Sequence, residues 1–228
     1  MTCVNAKKLV LETGFTFDYE NLVGSGKVTI DDVVSLEEKI NDAQAAIQVM
    51  RKTGVIRGHL SKDGEPEKVL FSQLPYIKAE NLNSPAIIRK LKDFSASIKD
   101  RVDAVISFGI GGSFLGNKVL FDIHCGEFWN GMSNAERNGY PRMYFSGNNI
   151  DPRRTSELVE NIERMAKTYH KHAEKKFCLM MIVISKSGGT LDTMSNFMVV
   201  YEALKNHEHI DIEIVAVTDP NEEKKTLL

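Results

Sequence analysis

The chain has 228 residues, 42% of them hydrophobic, with 29 Lys and Arg against 31 Asp and Glu and a formal charge of −2. That length fits one large domain, or one domain with an elaborated terminus, and can bury a core without staples. The balanced charge leaves no basic stripe for nucleic acid and no acidic tail. No apolar run reaches membrane-spanning length, and the start, MTCVNAKKLVLETGF, lacks the apolar centre of a signal peptide.

In chain order, LVGSGKVTI reads as a turn and a short strand. Ser35 and Glu38 form a capping-box pattern. Leu36, Ile40, Ala43, Ile47 and Met50 follow at helical spacing, predicting one amphipathic helix that ends near Gly54. Residues 55–85 read as loop, broken by Gly58, Gly64, Pro66, Pro75 and Pro85. A second helix is expected over about 85–98, with Ile87, Ile88, Leu91 and Phe94 inward.

After Asp100 the texture changes. Strands are expected at 102–110, 142–147, 177–185 and 212–219, and helices at 113–123, 151–171 and 190–206. Near-continuous apolar strands alternating with helices imply a parallel sheet covered on both faces. The insertion HCGEFWNGMSNAERNGY reads as exposed loop, with Phe128 and Trp129 either an interface patch or a buried anchor. The last residues, NEEKKTLL, look like a helix just begun, so the chain is expected to be the first part of a longer protein.

Two strand ends stand out: GIGGS at 109–113 and SKSGGT at 185–190. Each passes from strand to helix, where unpaired N–H groups and the helix dipole favour an anion. Glycines let a ligand approach the backbone, and Ser and Thr hydroxyls add hydrogen bonds without bulk. Ser185, Ser187 and Thr190 with Lys186 therefore suggest a phosphate nest. A Gly-rich turn is also a common topological device, and GIGGS alone fits either reading. A dinucleotide fingerprint fails, because the third glycine would fall on Phe114, and no Walker A pattern is present.

GIGGSFLG (109–116), FSGNNIDP (145–152), VISKSGGTLDT (183–193) and AVTDP (216–220) occur in order. Together they resemble the first sugar-isomerase (SIS) domain of the glucose-6-phosphate isomerase family in its bacterial form. The resemblance implies an SIS-type α/β fold, a doubly wound parallel sheet with flanking helices. An N-terminal helical extension (1–100) would pack on this α/β domain (101–228). It further implies a cytoplasmic aldose–ketose isomerase, homodimeric when complete. Such an enzyme converts glucose 6-phosphate and fructose 6-phosphate through an enediol, without cofactor or metal. Ser185, Ser187 and Thr190 would bind phosphate oxygens, with Gly188 and Gly189 offering N–H groups and Lys186 lending charge. Gly112 and Ser113 would touch the sugar. Gly189 and Leu191 stand where the family commonly has threonines. The catalytic glutamate and ring-opening histidine are implied to lie beyond Leu228, so no catalytic residue is assigned within the chain.

Two other readings use the same fold: a non-catalytic module that senses a sugar phosphate, and another phosphosugar isomerase. The first would carry a basic recognition helix, which the first hundred residues lack. His170, His172, His207 and His209 read as solvated loop histidines rather than metal ligands, and His59 and His124 are single. Cys3, Cys125 and Cys178 show no CxxC and read as reduced thiols. The LMM run at 179–181 reads as core.

Overall fold

The structure is a computed structural model that describes residues 8–10, 12–60, 64–173 and 175–218. The chain divides into two compact units, 1–90 and 91–228. The expected helix start at NEEKKTLL, Cys3 and the last two residues of AVTDP lie outside the described residues.

The first unit opens with β1 (Lys8–Val10) paired antiparallel to β2 (Thr16–Asp18). In place of the strand expected near residue 28 there is an isolated bridge between Val23 and Val28. Helix α1 (Ile30–Ser35) follows, and the capping box sits at its start rather than at Ser35. The Thr29 hydroxyl accepts from Asp32 N at 3.1 Å, and Thr29 N donates to Asp32 Oδ2 at 2.8 Å. Ser35 instead turns its hydroxyl back onto Asp32 O at 2.7 Å, so it cannot cap α2 (Glu37–Thr53). That helix does stop at Gly54, whose φ of 80° is left-handed. The expected loop then contains a hairpin, β3 (Val55–Leu60) with β4 (Pro66–Lys68). Gly58 and Gly64, both at positive φ, shape its course rather than abolish it.

Helix α3 (Pro85–Ile98) leads into the second unit. The stripes expected to face inward on α2 and α3 are largely exposed: Leu36, Ile40, Ile47, Ile87, Leu91 and Phe94 all keep substantial accessible surface. The spacing marks a helix but does not say what covers its face, and among the described residues every buried core hydrophobic lies between Val102 and Ile210.

That core belongs to a four-stranded sheet. The chain runs β5 (Ala104–Phe108), α4 (Gly112–Cys125), β6 (Arg142–Ser146), α5 (Pro152–Ala173), β7 (Phe177–Ile184), α6 (Leu191–Leu204) and β8 (Ile210–Val217). The strand order is β6-β5-β7-β8 and every pairing is parallel. One face carries Ile106, Phe108, Leu179, Met181 and Val183 against Ile162 and Ala166 of α5 and Val200 and Leu204 of α6. The other carries Val105 and Met180, with Ile98, Met143 and Ile182 packed on them. Helix α4 reaches this second face by clasping Phe145 between Phe114 and Phe121, ring centroids 5.9 and 5.5 Å away. Helices thus cover both faces, as the apolar strands require.

The 126–141 insertion is less exposed than its polarity suggests. Phe128 is 76% exposed, but Arg137 is 3% exposed and donates through Nε to Tyr140 O at 3.0 Å. Trp129, half-buried, donates to Pro141 O at 3.0 Å and acts as the loop's anchor. Asn130 pairs with both the N–H and the C=O of Met143, at 2.8 and 2.7 Å, on the free edge of β6.

Candidate functional site

The strand order places the site. The chain moves from β5 outward to β6, then returns to the other side of β5 for β7. Connections after β5 and β7 therefore leave in opposite directions and open a crevice between them, which is where ligands bind in such sheets. Phe108 and Val183 are register partners on these neighbouring strands, so the GIGGS and SKSGGT turns emerge side by side at the carboxyl end. They follow the two central strands, not an outer edge.

The first turn is tight on its inner side and open on its outer side. Gly109 N donates to Ser146 O at 3.1 Å, carrying the β5–β6 ladder one residue further. A Cβ on Gly109 would come 2.4 Å from Ser113 O, so glycine is required there. Gly111 caps α4 at φ 57°, ψ −124°, a conformation suited to glycine. Gly112 differs: its φ is ordinary and a Cβ would meet nothing within 4 Å. Nothing inside the protein demands a glycine at 112, while an incoming group would gain from one. Ser113 is half-buried, its N–H bonded to Ile110 O at 3.1 Å.

The second turn is closed by its own hydroxyls. Ser185, 2% exposed, continues the ladder by donating N–H to Val217 O at 3.0 Å. Its Oγ lies 2.8 Å from Thr190 Oγ1, the N-cap residue of α6. Gly188 at φ 65° turns its N–H back to Ser185 O at 3.2 Å. The N–H of Gly189 meets only the Ser187 hydroxyl, at a long 3.4 Å. Lys186, Ser187 and Gly189 are exposed. Asp192 places a carboxylate in the first turn of α6.

A third connection, within the FSGNNIDP pattern at 145–152, completes the crevice wall. Gly147 follows β6 at φ 84° and touches both neighbours: a Cβ there would stand 2.8 Å from Gly109 N and 3.3 Å from Thr193 Cα. Thr193, fully buried, points its hydroxyl at Gly147 O at 3.4 Å. Asn196 donates to Asn149 O at 3.1 Å and to Asp192 O at 2.8 Å, and accepts from Thr155 Oγ1 at 3.0 Å. The signal for these residues was present. Thr193, Asn196, Val200 and Leu204 fall at three- and four-residue spacing, so the polar pair shares the inner stripe of α6.

The perturbed ionisable groups near the sheet lie at its amino end, away from these turns. Burial pushes the Asp103 carboxyl up, opposed by the Cys178 N–H at 2.8 Å and by Arg142 and Arg137. Burial, with Glu213 beside it, pushes the Cys178 thiol up to about 11. His170 and His209, drawn from the two separate His pairs, stack at 4.1 Å. Among the described residues no group of three or more His, Cys, Asp or Glu could hold a metal ion. Among them, too, no helix is long and apolar enough to cross a membrane.

The four-stranded parallel sheet with flanking helices and small-residue turns over its central strands defines a doubly wound α/β protein, a fold consistent with an SIS-like domain. No family model matches the chain. Curated relatives do. It is 33% identical to a glucose-6-phosphate isomerase of Fusobacterium nucleatum over 134 residues, 58% of this chain and 27% of the relative. It is 30% identical over 161 residues to a probable glucose-6-phosphate isomerase of Methanococcus maripaludis, 70% of this chain and 31% of the relative. It is 28% identical over 212 residues to the glucose-6-phosphate isomerase of Streptococcus agalactiae, 91% of this chain and 40% of the relative. The chain thus spans less than half the length of these relatives, and over that segment its sequence is similar to theirs.

Proposed function

We propose that this chain holds the phosphate end of a hexose 6-phosphate and contributes that half of a glucose 6-phosphate–fructose 6-phosphate isomerase site. The observation that carries the reading is the placement of the Ser185–Thr190 turn beside Gly109–Ser113 at the switch point of the sheet. Ser187, Lys186 and the Gly189 N–H are the groups left facing outward by the internal bonds of their turn. Ser185 and Thr190 hold the turn's shape through their mutual hydrogen bond, and Gly188 supplies its left-handed corner. Asp192 repels an anion placed directly on the α6 axis, so the phosphate sits over residues 187–190. Gly112 and Ser113 flank the sugar carbons.

By the resemblance, proton transfer between C1 and C2 and ring opening are done by a glutamate and a histidine outside residues 1–228. The chain alone then binds substrate weakly and does not turn it over. General acid and base groups each contribute factors of about 10²–10⁴. Residues 1–100 are an extension of the α/β domain at 101–228, and the complete enzyme is a cytoplasmic homodimer.

The test has two readouts. Titrating the ¹⁵N-labelled chain with fructose 6-phosphate should shift the amides of Ser187, Gly189 and Thr190, and no shift there would remove the turn from the site. Coupling glucose 6-phosphate formation to its dehydrogenase should show no turnover above background. Turnover by protein shown free of host isomerase would place the base within these residues.

A further inference from the structure

From the hydrogen bonds that converge on it, we propose that Asn196 is a positioning residue: it locks the connection after β6 to α6 and so fixes the cradle in which the SKSGGT turn holds phosphate. The inference rests on the phosphate-binding reading above and adds a residue that makes no contact with the ligand.

Asn196 is an amide 4% exposed on the inner stripe of α6, between Thr193 and Val200. An unpaired amide in that position would cost about 1–3 kcal/mol. Its partners come from three segments. The NH₂ donates to Asn149 O at 3.1 Å in the β6–α5 connection and to Asp192 O at 2.8 Å in the first turn of α6. Those two carbonyls fix which end of the amide is nitrogen, because an oxygen facing both would be repelled. The carbonyl end then accepts from Thr155 Oγ1 at 3.0 Å in the first turn of α5. Thr155 shares its single hydrogen with Asp151 O at 2.9 Å, so the same connection is held at a second point.

The consequence reaches the site through Gly147. That glycine sits between Gly109 and Thr193 with no room for a Cβ. A connection free to shift at Asn149 would move Gly147 against both the GIGGS turn and the base of α6. With Asn196 in place, the three connections at the carboxyl end of the sheet form one block. The Gly189 amide and Ser187 hydroxyl are then oriented before an anion arrives, and less ordering cost falls on binding.

The experiment uses the full chain. Inorganic phosphate and fructose 6-phosphate are titrated by NMR into wild type, Asn196→Ala, Thr155→Val and Val200→Ala. The last trims the apolar core of α6 outside the network and serves as the control for lost stability. Expected results are a dissociation constant raised at least about fivefold in the Asn196 and Thr155 variants and unchanged in Val200→Ala. The Gly147 and Asn149 amides should also exchange faster in the first two variants, at matched global stability. If Asn196→Ala does not fold, Thr155→Val carries the test alone. Wild-type binding with equal affinity in the network variants overturns the positioning role and leaves the phosphate site standing. An equal loss in Val200→Ala overturns it too, because the effect is then one of general stability. No binding by wild type overturns the phosphate reading and this inference with it.

Discussion

Gly147 and Gly109 meet backbone to backbone: a Cβ on Gly147 would stand 2.8 Å from Gly109 N. The two residues end neighbouring strands, and the Gly109 N–H continues their ladder by bonding to Ser146 O. Gly147 also lies at φ 84°, where a side chain is strained whatever the space. Gly147→Ala is therefore expected to destabilise by at least about 1–3 kcal/mol from the backbone conformation alone. Gly112→Ala is the contrast, with ordinary φ and open space around its Cβ. It should leave stability within about 0.5 kcal/mol, or raise it slightly, while weakening sugar-phosphate binding. Urea denaturation of both variants checks the pair, and equal stability losses would refute the distinction.

The hydroxyls of the second turn divide into two kinds. Thr190 Oγ1 lies 2.8 Å from the buried Ser185 Oγ, so Thr190→Ala leaves that hydroxyl without its partner and should cost about 1–3 kcal/mol. Ser187 is exposed and its Oγ takes only the long 3.4 Å contact from Gly189 N, so Ser187→Ala should leave the melting temperature alone. Binding should respond in both, and the double variant should bind sugar phosphate about tenfold or more weakly. An unchanged dissociation constant in the double variant would exclude the turn.

Alkaline pH tests the amino end of the sheet. Folding raises the Cys178 thiol from an ordinary 9.0 to about 11, mainly by burial and then by Glu213. The folded state thus keeps its proton longer than the unfolded state. The associated stability is complete below pH 9.0 and is lost as pH rises toward about 11. Unfolding free energies measured across that window should fall more steeply for wild type than for Cys178→Ala. Parallel curves would mean that the thiol is not protected.

How much of this was legible in the sequence depends on what each signal encodes. The apolar runs at 104–108 and 177–184 and the intervening helices could be read because a strand buried on both faces has no other composition. The two turns could be read because small residues and hydroxyls crowd where strand passes to helix. Three things could not. The Ser35 cap failed because Thr29 and Asp32 close a box six residues earlier, at the start of α1, and Ser35, the last residue of that helix, turns its hydroxyl back onto Asp32 O. The insertion that holds Arg137 reads as exposed loop, since nothing local tells an arginine that donates to its own loop's carbonyls from one that faces water. Asn196 was hidden because its partners Thr155 and Asn149 lie more than forty residues away.

The free edge of β6 supplies the last prediction. In a parallel strand alternate residues turn their N–H and C=O outward, and an edge strand offers these groups to any passing chain. Here Met143 is such a residue, and the Asn130 side chain answers both groups: Oδ1 accepts from Met143 N at 2.8 Å and Nδ2 donates to Met143 O at 2.7 Å. One side chain thus stands in for a neighbouring strand. Two residues on, Arg154 Nη2 reaches Phe145 O at 3.3 Å. Asn130→Ala removes two half-buried hydrogen bonds, each worth about 0.5–1.5 kcal/mol net, and uncovers the edge. Asn130→Asp should be worse, because a carboxylate can accept from Met143 N but sets oxygen against Met143 O. Denaturant midpoints should therefore fall in the order wild type, Ala, Asp. Light scattering should show concentration-dependent association for the Ala variant, where the edge is open and uncharged, and less for Asp, where the added charge opposes it. Association equal in wild type and Asn130→Ala would mean that other groups guard this edge.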